Sequence, residues 1–104
     1  MKKAPEVVLP LRNQTVNGGQ LVKLTCRMPA TPRGRVNWYK DGDIIRPQGR
    51  FELLASKHGA YRLVIHQTMI SDAGRYSIVV QNKYGSAQSE CDLLVTGKKN
   101  VFSL

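Results

Sequence analysis

Apolar and polar side chains alternate through most of this chain with a period of two. Val22, Leu24 and Cys26 interleave with Lys23, Thr25 and Arg27, and the same alternation recurs in Val36/Trp38, Leu63/Ile65, Tyr76/Ile78/Val80 and Cys91/Leu93/Val95. Successive side chains of an extended strand point to opposite faces, so each run predicts a strand with one buried face. Turn-forming residues separate them: Asn17-Gly18-Gly19, Pro29 to Gly34, Asp41-Gly42-Asp43, Pro47-Gln48-Gly49, His58-Gly59 and Lys83-Tyr84-Gly85. Shorter pieces at Glu6 to Leu9, Asn13 to Val16, Ile44-Ile45 and Phe51 to Leu54 fit edge strands, where Pro5 and Pro10 cost no ladder donor. No stretch keeps helical periodicity for three turns. Many short strands with regularly spaced turns predict an all-β sandwich of two antiparallel sheets.

The length of 104 residues suits one domain, whose core would bury roughly 60 to 65% of the unfolded chain's surface without help from metal or disulfide. No apolar run approaches the roughly 18 to 20 residues that cross a bilayer. Met1 to Lys3 is basic, but Ala4-Pro5-Glu6 does not lead into the apolar stretch of an export signal. Residues 1–5 read as a tail or linker, 6–96 as the domain, and 97–104 as a second linker or tail. In that last segment Gly97-Lys98-Lys99-Asn100 looks like an exit linker, and Val101, Phe102 and Leu104 are either a short docking segment or a frayed end. Sixteen Lys and Arg against seven acidic residues leave a net charge of +9, which favours an acidic partner without choosing its class. The two cysteines, Cys26 and Cys91, are too few for a disulfide scaffold and lack metal-ligand spacing.

The order of Cys26, Trp38 and Asp72-Ala73-Gly74-Arg75-Tyr76 carries more specific information. In immunoglobulin domains a buried Trp packs against an inter-sheet cysteine link and a Tyr closes a corner at the start of a late strand. With "VKLTC" at 22–26, "VNWYKDG" at 36–42, "YRLVI" at 61–65, "DAGRY" at 72–76 and "NKYG" at 82–85, the chain resembles an immunoglobulin domain of the intermediate, or I-set, type from Glu6 to Thr96. The resemblance implies an architectural core of Cys26, Trp38, Leu63, Asp72, Tyr76, Ile78 and Cys91, with Arg50 pairing Asp72. The family's second cysteine would fall two residues after Tyr76, where this chain has Ile78. A bridge there would stabilise by roughly 4 kcal/mol, and a buried Ile offsets roughly 1.5 to 3 kcal/mol of it without oxidation. Whether Cys26 and Cys91 can join instead is left to geometry.

A missing late-strand cysteine beside one on the last strand resembles the intracellular I-set domains of titin, twitchin, obscurin, palladin, myopalladin and myotilin. The resemblance implies a cytoplasmic, non-catalytic interaction or spacer module of a cytoskeletal or sarcomeric scaffold. Its neighbours would be further immunoglobulin or fibronectin-type domains, and its partner a protein, actin or another sarcomeric component. The alternative is an extracellular adhesion or receptor domain that has lost its bridge.

Strand parity puts Lys23, Arg27, Arg62 and His66 outward on two neighbouring strands, with Thr25 and Val64 between them. Such a face either docks an acidic protein such as an actin filament, as the likeness to palladin-type domains implies, or is a solvated face that discourages sheet stacking. A second cluster gathers Arg33, Arg35, Lys40, Arg75 and Lys83, with Glu90 and Asp92 neutralising part of it. Nucleic acid would need stacking aromatics among the charges; Trp38 and Tyr76 belong to the core, and Tyr39, Tyr61 and Tyr84, left for the surface, form no stripe with the cations. His58 and His66 lie near no nucleophile and carboxylate pair, and no phosphate loop or metal spacing occurs, so no catalysis and no cofactor are expected. Asn13-Gln14-Thr15 is a formal glycosylation sequon that would be silent in the cytosol.

Overall fold

Each alternating run forms a strand. The computed structural model describes residues 2–97, and the expected tail from Lys98 lies outside them. In chain order the strands are β1 (Gln14–Asn17), β2 (Val22–Arg27), β3 (Arg35–Lys40), β4 (Asp43–Ile44), β5 (Phe51–Ala55), β6 (Ala60–Ile65), β7 (Gly74–Asn82) and β8 (Gly85–Thr96), with a 3-10 turn at Ile70–Asp72. They build two sheets, β1-β8-β7-β3-β4 and β2-β6-β5. Every pairing is antiparallel except β1 with β8, which run parallel. β1 and β8 are far apart in the chain, so no tight hairpin constrains them to run antiparallel.

The two inner faces meet in one core. Val22, Leu24 and Cys26 of β2 and Tyr61, Leu63 and Ile65 of β6 face Trp38, Tyr76, Ile78, Val80, Cys91 and Leu93 of the other sheet. The expected Glu6 to Leu9 strand is reduced to isolated bridges, Leu9 with Arg27 and, upstream, Lys3 with Thr31. Pro5 and Pro10 bracket the segment and withhold donors, so no ladder extends along it.

Tyr61 is a correction. Expected at the surface, it is 2% exposed, because it stands opposite Cys26 with the same inward parity as Leu63 and Ile65. The turn between β5 and β6 packs tightly on the β2–β3 loop. Gly59 has φ +83°, and a Cβ there would lie 2.7 Å from the Cα of Pro29, so both backbone conformation and space demand glycine.

Candidate functional site

Three groups of sequence-predicted residues can be placed, beginning with the core and its corner. Ile78 and Cys26 are fully buried, and Trp38 stands directly across from Ile78 on the β3–β7 ladder. Both cysteines are buried and free. Burial, with Cys91 nearby, pushes the Cys26 thiol up to about 12, and burial followed by the charge of Asp92 pushes Cys91 up to about 11. The thiolate is the reactive form, and burial of both sulfurs favours the neutral thiol at neutral pH. The Sγ of Cys26 instead approaches the Sδ of Met28 at 3.8 Å.

The corner is built on Asp72. Its carboxylate accepts two parallel hydrogen bonds from Arg50, at 2.7 and 3.0 Å, and a third from the Met69 amide at 2.7 Å. Burial raises this carboxyl's pKa, but the Arg50 and Met69 donors outweigh burial and hold it below the usual range. The hydroxyl of Tyr76 donates to the Asp72 carbonyl at 2.6 Å, fixing the start of β7 against the 3-10 turn. These residues serve architecture. Arg50 itself is partly exposed, its guanidinium reaching the buried carboxylate from the rim.

The basic face expected on β2 and β6 forms, with a qualification at one end. Thr25 pairs with Arg62, Lys23 with Val64 and Arg27 with Ala60. Arg62 therefore lies diagonally between Lys23 and Arg27, at Cβ separations of roughly 7 to 8 Å for such neighbours. Arg62 donates to the Thr25 hydroxyl at 3.2 Å, and Arg27 donates to the His58 carbonyl at 3.2 Å. His66 departs from the row: its ring nitrogen sits 3.0 Å from the Glu52 carboxylate of β5, so this end of the face carries a counter-charge. Val64 has outward parity yet is only 4% exposed; it stands on the ladder between Lys23 and Glu52.

The second expected cluster divides. Arg75 is consumed by Glu90 at 2.8 Å and Asp92 at 3.0 Å, and Lys40 by Asp41 at 3.2 Å. Arg33, Arg35 and Lys83 remain together, lining an open groove with Pro32, Gln81 and Asn82. Sequence reasoning missed Asn82. Its side-chain amide donates to the carbonyls of Lys3 at 2.8 Å and Pro32 at 3.0 Å, while its oxygen accepts the Tyr84 amide at 2.9 Å. An Asn before a two-residue turn was the available signal, but its reach to two distant segments is visible only in three dimensions. Among the described residues no three of His, Cys, Asp and Glu gather as a metal site would require, and no helix is long and apolar enough to cross a membrane.

Comparison with known proteins agrees with this geometry. Residues 5–95 match the family described as Immunoglobulin I-set domain. The chain is 40% identical over 91 residues to the titin homolog of Caenorhabditis elegans, covering 88% of this chain and, after rounding, 0% of that protein. It is 38% identical over 93 residues to the muscle M-line assembly protein unc-89 of the same organism, covering 89% of this chain and 1% of that one. The chain thus spans about a hundredth or less of these relatives' length. The crystal structure of titin domains z1z2 in complex with telethonin superimposes with a TM-score of 0.90 at 31% identity, over 95% of this chain and 50% of that one.

Proposed function

The chain belongs to the immunoglobulin I-set family, and on that premise we propose that it is a non-catalytic, cytoplasmic interaction module of a larger sarcomeric or cytoskeletal scaffold. In this reading the outer face of the β2-β6-β5 sheet docks an acidic protein, of which the actin filament is the leading candidate. One observation carries it. Lys23, Arg62 and Arg27 form a diagonal row of cations on a rigid ladder, and the carboxylate beside them, Glu52, is engaged by His66. A partner presenting carboxylates would meet an array already spaced and held, and attraction over a Debye length of about 8 to 10 Å would guide the encounter. The muscle proteins among the relatives support the setting, and the titin pair solved with telethonin gives a precedent for a protein partner on this fold.

The mechanism asks little of the chain beyond rigidity. The β2-β6-β5 sheet presents the row, and Arg27 and Arg62 are already oriented by hydrogen bonds to His58 and Thr25, which lowers the ordering cost of docking. Replacing Lys23, Arg27 and Arg62 together by Glu should abolish co-sedimentation with actin filaments at low salt. Unchanged co-sedimentation of the folded triple variant would end the assignment to this face.

A further inference from the structure

The charge of this domain is concentrated at one end. Four segments meet there: residues 2–9, residues 27–35, the β5–β6 turn at 55–60, and the β7–β8 turn at 81–86. Hydrogen bonds tie them together. Lys3 and Thr31 exchange backbone bonds, Met28 donates to the Gly59 carbonyl, and Asn82 binds both Lys3 and Pro32. Packing is close as well: a Cβ on Gly34 would lie 2.6 Å from the Gln81 carbonyl oxygen.

These segments hold seven cations: Lys2 and Lys3, then Arg27, Arg33 and Arg35, then Lys57 and Lys83, against a single carboxylate, Glu6. The excess is six. The rest of residues 2–97 holds seven cations and six carboxylates, an excess of one. The net charge is therefore largely the property of one pole.

The side chains there are partly anchored and partly free. Arg27 and Arg33 each donate one bond, to the His58 and Ser56 carbonyls at 3.2 and 3.1 Å, which steadies two guanidinium groups along the same turn. A guanidinium has five N–H donors, so most remain available. Arg35 makes no side-chain hydrogen bond or ion pair among the described residues, and it lines the same groove as Arg33 and Lys83.

We propose that this pole is a docking site for an acidic polypeptide segment, whose carboxylates pair with the Arg33 and Arg35 forks and with Lys83 in the groove. Planar arginine forks match carboxylates in pairs. A single-stranded nucleic acid would need a stacking platform, whereas the aromatic at this pole, Tyr84, has its ring 5.7 Å beneath the Lys83 ammonium. The site goes beyond the filament-docking reading and shares only Arg27 with it, so either can fail alone.

The test titrates the domain with a short poly-glutamate peptide, following backbone amide shifts by NMR and affinity by fluorescence anisotropy in about 50 mM salt. Two variants are compared, Arg33→Glu/Arg35→Glu and Lys23→Glu/Arg62→Glu; each exchanges two cations for two anions and so lowers the net charge from +9 by four. The proposal predicts shifts centred on residues 33–35 and 82–84, about tenfold weaker binding in the first variant, and no more than about a twofold change in the second. Lys83→Glu, on an exposed turn, gives the same reading should the double variant fold poorly. Equal weakening in both double variants would reduce the effect to net charge and overturn the proposal. So would tighter, pole-dependent binding of a single-stranded oligonucleotide or of phosphatidylserine vesicles.

Discussion

Replacing Ile78 by Ala removes three carbons from a fully buried position between the sheets. At about 0.8 kcal/mol per buried methylene, the transfer loss is about 2.4 kcal/mol. A void remains in addition, because Ile78 lies on the central β7, laddered to β3 on one side and β8 on the other, facing Trp38 and Ser89. Strands held from both sides relax little, and at about 24 cal/mol per Å³ of residual cavity the total rises to about 3 to 4 kcal/mol. For a domain of this size that is a fall in Tm of roughly 12 to 30 °C. Ile78→Val, which deletes one carbon, should cost only about 0.5 to 1.5 kcal/mol. Urea unfolding followed by the fluorescence of the one tryptophan, Trp38, reports both variants from the core itself. If Ile78→Ala cost less than about 1 kcal/mol, or no more than Ile78→Val, the side chain would not be filling the site where related domains place a sulfur.

Asp72→Asn should destabilise by about 2 to 3 kcal/mol at neutral pH, since a buried carboxylate taking bonds from Arg50 and the Met69 amide loses its charge. Because the folded Asp72 carboxyl is held below its ordinary 3.8, its contribution is complete above that value and disappears as the pH falls through the lower folded one; urea midpoints of the two proteins should therefore converge in acid. Gly59→Ala should cost about 1 to 3 kcal/mol by calorimetry, because it forces a side chain into a left-handed conformation and against Pro29.

The strand framework was legible because buried and less buried positions alternate regularly along β2, β7 and β8, and enough of the pattern survives in β3 and β6 to mark them as strands. The corner was legible because Asp72 and Tyr76 act over four residues, and the family resemblance supplied Arg50. What the sequence hid was cross-strand and cross-loop. Glu52 lies on β5 and His66 just past the end of β6, so the counter-charge appears only when the pairing of β5 with β6 is known. Val64 follows parity outward yet is buried on the ladder between Lys23 and Glu52, which periodicity cannot express. Tyr61 could have been assigned inward from its spacing to Leu63 and Ile65 alone. The segment before Leu9 looked like a strand by composition, yet prolines on both sides limited it to single bridges. The charged pole draws on four segments spread along the chain from Lys2 to Lys83, and nothing in local composition brings them together.

That aliphatic packing stands in for a cross-sheet bridge is tested most directly by the urea midpoint of the air-purified domain, measured with and without dithiothreitol and paired with a thiol count after unfolding. The account predicts the same midpoint in both conditions and two free thiols, Cys26 and Cys91. A domain that yields no free thiol and loses about 2 to 4 kcal/mol on reduction would contradict it.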